Sequence, residues 1–328
     1  MKTRKRGLFD DSKDAAKHPM IHYGTAKGAC NSIKRIRGKP RARQLATRMY
    51  YRAKYHKYQT KGMRNAMKVW GRYLKTFKQR GGNYMAKYTP PSNVHDDGTK
   101  AMVIVEPREH ARLKDIIANF DKNMPKEWDL YLFYGNGHGE HAKEVTKSIG
   151  RKVYLKELDT NNLDADEYNE LFKKKEFWDK VDAETILVFQ TDGAICSNST
   201  FKIDQFLKYD YIGCSYGKDI VGIKKGVWGP HNMYGVGGVS LRKKSFMQKC
   251  IADNPTVPAK FPEDVFYSDC VAYSQNKPES GDILSQFCSQ IKYEYDSLFV
   301  HKLDSMQKNR TEFLQYCPES ALTRRTYR

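Results

Sequence analysis

The stretch Glu184–Ser199, ETILVFQTDGAICSNS, contains an unbroken apolar run that ends abruptly in polar residues. Ile186–Phe189 is short and uniformly apolar, as is typical of a strand buried on both faces of a parallel sheet. Gln190, Asp192 and Gly193 then fall at the carboxyl end of that strand, the edge where open α/β sheets bind their ligands. Asp192 could therefore hold a metal ion, although an Asp-Gly pair is equally typical of a simple turn.

Charge divides the chain of 328 residues into two parts. Residues 1–95 carry 25 Lys and Arg against 3 Asp and Glu, a net charge of +22. Residues 96–328 carry 33 basic and 35 acidic residues, a net charge of −2. This length suits two domains, so we predict a basic N-terminal arm over residues 1–95 and a separate α/β domain over residues 96–328.

The basic arm changes character along its length. Residues 1–44 are predicted to be disordered, because little in them could offset the entropy of ordering by burial. Between Leu45 and Lys78, residues such as Ala66, Met67 and Trp70 recur at helical spacing, which predicts one or two basic amphipathic helices. Such helices could bind nucleic acid, lie on an anionic membrane surface, or pack against the main domain or a partner.

Seven cysteines are scattered along the chain without a C-x-x-C pair. Because their number is odd and they are widely spaced, we predict reduced thiols rather than a disulfide framework or a cysteine zinc site. No stretch approaches the roughly 18 uncharged apolar residues of a membrane span, and the N-terminus lacks the apolar core of a secretory leader. We therefore expect a cytoplasmic protein, with the nucleus as an alternative because Lys34–Arg43 would serve as an import signal.

Strand and helix patterns alternate from about residue 100 onward. Strands are predicted at Met102–Pro107, Leu130–Phe133, Lys152–Leu155, Ile186–Phe189, Asp210–Cys214, Val236–Leu241 and Tyr293–Val300. Helices are predicted at Leu113–Phe120, Tyr168–Lys180, Lys244–Ile251, Asp264–Tyr273 and Ile283–Gln290. This alternation predicts an α/β domain with a mostly parallel sheet and helices on both faces.

Several common catalytic motifs are missing or incomplete. Gly135–Gly139 follows a strand, but Glu140 occupies the place of the third glycine in a dinucleotide fingerprint. Gly235–Gly238 fails the same test at Ser240. The sequence also has no phosphate-binding Walker lysine motif, no G-x-S-x-G elbow and no H-E-x-x-H pair. Nicotinamide enzymes, ATPases and the commoner hydrolases are therefore poorly supported.

Three segments with polar side chains remain as candidates for chemistry. They are Gln190–Asp192, the PEDVF segment Pro262–Phe266, and His301 at the end of the last apolar segment. Taken alone, Glu263 and Asp264 could simply oppose the dipole of the helix that they begin, which is worth about 0.3–1 kcal/mol. A single histidine near a strand end is also more often structural than a ligand.

Taken together, these segments resemble glycosyltransferases of the GT-A fold. Tyr211–Gly213 and the GVGGVSLR segment Gly235–Arg242 complete the same order of motifs. The chain is most similar to an uncharacterised glycosyltransferase-like family of large DNA viruses, algae and fungi, whose first strand resembles Val103–His110. The resemblance spans about Lys100 to Pro318. Residues 1–95 resemble only loosely the basic leaders of proteins from large DNA viruses, which suggests a virion location as a further alternative.

The resemblance implies transfer of a sugar from a nucleotide-diphosphate sugar to a glycan or protein acceptor, with inversion at the sugar. It implies that Asp192 and His301 bind Mn²⁺ or Mg²⁺, and that Asp264, or else Glu263, is the catalytic base. The nucleotide-sugar site would comprise Glu106, Pro107, Arg108, Gln190, Asp192, Gly237 and Gly238.

One position departs from the pattern of the fold. The metal motif usually has two acids, D-x-D, and here Gln190 replaces the first one. A carboxamide is a weaker ligand than a carboxylate, so a different protein class stays open: a non-catalytic structural or nucleic-acid-associated protein, such as a virion component, with a retained transferase-like domain. A glycoside hydrolase with two carboxylates is a second alternative.

Overall fold

The protein is described here from a computed structural model. The structure describes residues 21–38, 42–54, 56–76, 86, 88–89, 98–215, 222–226, 229–290, 296–302 and 310–323. The chain divides into two compact units, Met1–Arg80 and Gly81–Arg328. Ala86 and Tyr88 pack within the second unit. The domain boundary that charge predicts after residue 95 stays a prediction.

The first unit contains three helices, α1 (Ala26–Ile36), α2 (Ala42–Lys54) and α3 (Lys61–Thr76). Thr25 caps α1 by accepting a hydrogen bond from the Gly28 amide at 3.1 Å, which satisfies one donor at the start of the helix. The Gln59 side chain donates to the Ala53 carbonyl at the end of α2. We call residues 21–76 the three-helix unit.

Helix α1 corrects the prediction that residues 1–44 are disordered. Ala29, Ile33 and Ile36 lie one helical turn apart and are buried, which gives this basic stretch enough apolar contact to fold. Residues 1–20 lie outside the described residues. The predicted amphipathic helices correspond to α2 and α3, and their apolar stripes pack in one cluster with α1 around the fully buried Trp70. The Trp70 indole donates to the His22 carbonyl at 3.2 Å.

The second unit is built on a six-stranded sheet. Its strands are β1 (Lys100–Glu106), β2 (Asp129–Tyr134), β3 (Val153–Glu157), β4 (Thr185–Phe189), β6 (Tyr211–Cys214) and β9 (Val236–Lys243). They lie side by side in the order β3-β2-β1-β4-β9-β6. Strands β3, β2, β1 and β4 pair in parallel, whereas β9 is antiparallel to both β4 and β6. The predicted mostly parallel α/β sheet is therefore confirmed.

Alternate residues of the central strands face two separate cores. Met102, Ile104, Leu187 and Phe189 belong to one apolar cluster, whereas Val103 and Val188, among others, belong to a second. Because a strand projects successive side chains to opposite faces, both faces of the sheet are covered. All five residues of β4 are buried, as the unbroken apolar run predicts.

Helices cover both faces of this sheet. Helices α4 (Leu113–Asn123), α5 (Gly139–Thr146) and α10 (Gly281–Phe287) contribute to the first core. Helices α7 (Lys175–Trp178), α8 (Lys244–Asp253) and α9 (Glu263–Val271) contribute to the second, and α6 (Ala165–Leu171) adds partly buried residues there. Helix α11 (Arg310–Tyr316) lies near the end of the chain.

Two small sheets complete the unit, and most of their strands are not predicted by the sequence pattern. One contains β10 (Cys288–Ser289), β11 (Phe299–His301) and β5 (Gly193–Ile195), and the other pairs β7 (Gly222–Gly226) with β8 (Gly229–Met233). The last predicted strand, Tyr293–Val300, is shifted to β11, and residues 293–295 of that prediction lie outside the described residues. Helix α10 also ends at Phe287, earlier than predicted, because Cys288 begins β10.

The cysteines contradict the prediction of reduced thiols. Three disulfides join Cys196 to Cys317, Cys214 to Cys288 and Cys250 to Cys270, across 121, 74 and 20 residues of sequence. The partners are distant in sequence, so spacing alone could not reveal their pairing. Cys30 in the three-helix unit is exposed and is not disulfide-bonded. None of the helices in the described ranges combines the length and apolarity that crossing a membrane requires.

Candidate functional site

The predicted site residues gather at one edge of the large sheet. Parallel strands β1 and β4 both end at this edge, and the antiparallel strand β9 begins there, since Phe189 pairs with Val239. Strand β11 reaches the same edge because it pairs with β5, and this pairing places His301 opposite Gly193. We call this the carboxyl edge of the sheet. It brings together Glu106, Gln190, Asp192, Gly237, Gly238, Glu263, Asp264 and His301.

Asp192 and His301 are in direct contact although 109 residues separate them. The Nε2 atom of His301 lies 3.0 Å from Asp192 Oδ1. The imidazole is fully buried, while the Asp192 side chain is 22% exposed. The Lys302 amide also donates to the Asp192 carbonyl at 3.0 Å, which fixes the backbone of both segments. The two predicted metal ligands therefore lie at one point of the edge.

A glutamine orients the imidazole from its other side. His301 Nδ1 lies 2.9 Å from the Oε1 atom of the buried Gln290. With this oxygen as acceptor, Nδ1 carries the proton and Nε2 directs its lone pair at the Asp192 carboxylate. In the other tautomer Nε2 carries the proton and donates it to Asp192 over the same 3.0 Å. The tautomer with the proton on Nδ1 is the one in which His301 could bind a metal ion through Nε2, and a carbonyl oxygen of Gln290 at Nδ1 would favour it.

The Gly237-Gly238 pair lets several groups approach the start of β9. A Cβ atom on Gly238 would overlap the His301 ring, and one on Gly237 would overlap the Glu263 carboxylate and come within 2.9 Å of Arg242 Nη2. Glycine is needed at both positions for steric reasons. Gly193, next to Asp192, is similarly crowded, because a Cβ there would lie 2.6 Å from Val239 Cγ2.

Arg242 and Glu263 form a fully desolvated ion pair beneath this edge. The guanidinium donates to both carboxylate oxygens of Glu263, at 2.7 and 3.1 Å, and neither side chain is more than 5% exposed. Ser240 Oγ accepts from Arg242 Nε at 2.9 Å. Four aromatic rings lie within cation–π range of the guanidinium: Phe172, Trp178, Tyr211 and Tyr267.

Asp264 follows Glu263 at the start of helix α9 but has a different environment. Its Oδ1 accepts from the Val265 amide at 2.8 Å, and its Oδ2 lies 3.5 Å from the Gly237 amide. Burial, together with the neighbouring Glu263 carboxylate, raises the pKa of Asp264 to about 6. A carboxyl group with that pKa can exchange a proton near neutral pH.

Glu106 ends β1 and is held by the residues that follow it. Its carboxylate accepts two hydrogen bonds of 2.7 Å from the Arg108 guanidinium and a weaker one from the Thr191 hydroxyl at 3.4 Å. The Pro107 carbonyl lies 2.9 Å from His138 Nδ1. The Arg108 side chain is 56% exposed, and its pKa is raised mainly by its hydrogen bond to Glu106, with a smaller effect of the Asp192 charge. A cation therefore lies at the same edge as Asp192.

Tyr168 of helix α6 contributes a polar atom that sequence reasoning missed. Its hydroxyl is buried and lies close to the side chain of Gln190 and near the charges of Glu263 and Asp192. Burial raises the pKa of Tyr168, so the hydroxyl keeps its proton. A protonated hydroxyl at this position could donate a hydrogen bond to an acceptor oxygen of a ligand.

The chemistry of Asp192 and His301 fits a divalent cation with an open coordination sphere. One oxygen and one nitrogen donor suit Mn²⁺ better than Mg²⁺, which prefers oxygen ligands and water. Across the described part of the chain, no cluster of three His, Cys, Asp or Glu side chains is placed to hold a metal. Solvent or ligand oxygens would have to supply the remaining positions.

Arg242, Gln290 and Tyr168 are the site residues that sequence reasoning missed. Arg242 lies within the GVGGVSLR segment, but a cation in a strand ordinarily indicates an exposed face. Gln290 and Tyr168 belong to no recognisable motif. Only their position relative to His301 and Gln190 in three dimensions identifies them.

Comparisons with known proteins give a family match and distant structural matches. A family described as "Protein of unknown function (DUF5672)" matches residues 152–306, slightly less than half of the chain. Among solved structures, the chain is similar to two crystal structures of the glycosyltransferase GlyE from Streptococcus pneumoniae TIGR4, one in the apo form, each with 13% identity and a TM-score of 0.40. The matches cover 66% of this chain and 60% of GlyE, so the chain spans about three fifths of that protein. No curated protein matches significantly.

Proposed function

We propose that the unit Gly81–Arg328 transfers a sugar from a nucleotide-diphosphate sugar to a glycan or protein acceptor, with inversion at the sugar. The observation that carries this proposal is the contact of Asp192 with His301 at 3.0 Å, at the same sheet edge as the Asp264 carboxylate. The glycine pair Gly237-Gly238 links the two groups, since Gly237 lies against Asp264 and Gly238 against His301.

Asp192 and His301 would hold the cation, with Gln290 keeping the imidazole in the required tautomer. When bound, the cation would act as a Lewis acid that neutralises the departing diphosphate. Arg108 adds positive charge at the same edge. Tyr168 and Gln190 offer neutral hydrogen-bonding groups, which suit the hydroxyl and phosphate oxygens of a nucleotide sugar.

Asp264 would serve as the catalytic base. It would accept the proton of the acceptor hydroxyl while that oxygen attacks the anomeric carbon and the bond from this carbon to the diphosphate oxygen breaks. Glu263 is less suited, because both of its carboxylate oxygens already accept hydrogen bonds from Arg242. A well-positioned base typically contributes about 10²–10⁴-fold to the rate.

A specific observation also favours the non-catalytic alternative. Gln190 occupies the position of the first acid of the metal motif. Asp192 is therefore the single carboxylate with which this segment could bind a cation. In that case the unit would be a retained scaffold that binds no nucleotide sugar.

A thermal-shift screen of nucleotide sugars, with and without Mn²⁺, tests the proposal. We expect at least one donor to raise the melting temperature in a Mn²⁺-dependent manner. Asp192→Ala should remove this shift, whereas Asp264→Asn should keep it and lower the rate of transfer by about 10²–10⁴-fold. If no donor stabilises the protein, the non-catalytic alternative gains support. Normal turnover by Asp264→Asn would remove Asp264 from the role of base.

A further inference from the structure

The three-helix unit is folded yet contains no carboxylate side chain. Residues 21–76 include 16 Lys and Arg and no Asp or Glu. Positive charge is therefore unbalanced within residues 21–76. Like charges on a small surface repel each other, and a polyanion that binds there would relieve this repulsion.

The cations are arranged on the surface rather than dispersed through the core. Lys61, Arg64, Lys68 and Arg72 lie three or four residues apart along α3 and are all exposed. Residues with this spacing lie on one face of a helix, which here extends over about 16 Å. This face, which we call the cationic stripe, presents a row of charges to a partner.

The apolar residues of the unit point away from solvent, which distinguishes this surface from a membrane-binding helix. Ile36, Met49 and Trp70 are buried in the common core. An interfacial helix would instead expose Trp, Phe or Leu on the face opposite its cations. Among the described residues of the unit, the exposed large apolar side chains are both tyrosines, Tyr51 and Tyr58.

A groove between α2 and α3 borders the cationic stripe. It has a volume of about 570 Å³ and is lined by Tyr50, Met67, Lys68, Gly71, Arg72 and Leu74. Gly71 allows the Tyr50 ring to approach α3, because a Cβ there would come within 3.3 Å of Tyr50 Cε2. The groove thus combines an aromatic face and apolar walls with two cations, Lys68 and Arg72, at its rim.

Further tyrosines and cations lie close together in α2 and in the residues that follow it. Tyr51 is 49% and Tyr58 is 72% exposed. Lys54 lies 6.0 Å from the rings of both Tyr50 and Tyr51, and Lys57 lies 5.3 Å from the Tyr58 ring. Exposed aromatic faces interleaved with cations are what single-stranded nucleic acid requires, because its bases stack on the rings while its phosphates contact the cations.

We propose that the three-helix unit binds single-stranded nucleic acid. The phosphates would lie along the cationic stripe of α3, and an unpaired base would enter the groove against Tyr50. Charge complementarity and the aromatic faces select this occupant, and the inward orientation of the apolar core argues against a lipid surface. The proposal does not depend on the transferase activity of the second unit.

Fluorescence anisotropy of the full chain with a labelled 20-nucleotide oligo(dT) at 50–200 mM salt tests this. The logarithm of the association constant should fall linearly with the logarithm of the salt concentration. Each lost phosphate contact makes this slope less negative by about 0.7, so the double variant Lys68→Gln/Arg72→Gln should change it by about 1.4. Tyr50→Leu should weaken binding by about 5- to 100-fold at fixed salt without changing that slope. Tyr58→Ala, at a highly exposed position, should weaken binding in the same way with no risk to folding.

A matched control removes two exposed cations from the second unit. Lys122→Gln/Lys147→Gln changes the net charge equally, and we expect the slope and the affinity to stay unchanged. The proposal is overturned if this control and the Lys68/Arg72 variant behave alike. The proposal is also overturned by a second pair of results. In these, the tyrosine variants bind oligo(dT) as tightly as the unaltered protein, and either a 20-base-pair duplex or vesicles with 30% phosphatidylserine bind more tightly than oligo(dT). Circular dichroism should verify that each variant keeps its helices.

Discussion

Gly238 lies against the imidazole of His301 so closely that a single added methyl group would overlap the ring. The ring itself is held from two sides, by Gln290 at Nδ1 and by Asp192 at Nε2. Strand β9, which carries Gly238, is buried along its whole length and cannot move away without disturbing the sheet. The glycine therefore determines whether His301 can remain beside Asp192.

Gly238→Ala should displace His301 and weaken binding of the cation. We expect Mn²⁺-dependent affinity for the donor identified by thermal shift to fall by about 10- to 100-fold, the loss typical when the support of a metal ligand is disturbed. Isothermal titration calorimetry measures this directly. Gly139→Ala is the matched control, because a Cβ there meets Tyr134 only at the ordinary distance of 3.7 Å. Equal affinities of the two variants would contradict the proposed role of His301.

The pH dependence of transfer should report the ionisation of Asp264. Its pKa is raised to about 6 by burial and by Glu263, despite the nearby Arg242 cation. Below that pH the carboxyl group carries a proton and cannot accept another, so kcat/KM should rise with pH and level off above about 7. Asp264→Asn should lower kcat/KM by about 10²–10⁴-fold and remove the rise.

Asp204→Asn, which neutralises an exposed acid of the same unit, provides the control for this profile. It should leave both the rate and the pH profile unchanged. If Asp264→Asn kept the same rising limb, another group would have to be the base.

Removal of one partner of the buried Arg242–Glu263 pair should destabilise the second unit. Glu263→Gln would leave a buried guanidinium without its counter-charge, and such a loss costs about 3–5 kcal/mol. Urea unfolding of this variant should therefore show a much lower midpoint. Arg242→Met/Glu263→Met should recover part of the loss, because neither charge then remains buried.

An exposed ion pair gives the comparison for this effect. Lys143 and Glu140 are 2.7 Å apart on the surface, and Lys143→Gln should leave the urea midpoint unchanged. An unaltered midpoint for Glu263→Gln would mean that the buried pair does not stabilise the fold.

The strands of the sheet could be predicted because burial on both faces leaves a continuous apolar run. Ile186–Phe189 is such a run, and the polar residues after it indicate the ligand-binding edge. Helix α1 was missed because the buried Ile33 and Ile36 are interspersed with Lys34 and Arg35. The composition of that stretch indicates disorder, while the packing of two isoleucines against α3 determines its structure.

The contacts within the site depend on residues that are far apart in sequence. Nothing in the neighbourhood of Arg242 indicates that it is buried, since its carboxylate partner lies 21 residues later. Gln290 likewise becomes identifiable only once β10 and β11 place it beside His301. The resemblance to a known family names Asp192 and His301, but the orientation of the imidazole follows from the folded structure alone.

The disulfides provide a final test of the fold, because they contradict the prediction from cysteine spacing. Cys196–Cys317 joins the residue after β5 to the end of α11 and closes a loop of 121 residues. Cross-linking a loop of this length restricts the unfolded chain more than the 20-residue loop of Cys250–Cys270 does. Cys196→Ser/Cys317→Ser should therefore cost about 3–5 kcal/mol of unfolding free energy.

Peptide mapping without reductant should find the three disulfide-linked pairs, and a reductant should lower the melting temperature of the second unit. Cys30→Ser is the control, because this exposed thiol is not disulfide-bonded and its replacement should change neither result. Alkylation of all seven cysteines in the denatured, unreduced protein would show that the pairs do not form. In that case α11 would be held near β5 by non-covalent contacts, among them the apolar contacts of Phe313 with Ala194 and Val300 and the hydrogen bond from the Tyr316 hydroxyl to the Ser297 carbonyl, and the thiols would be reduced as their spacing predicts.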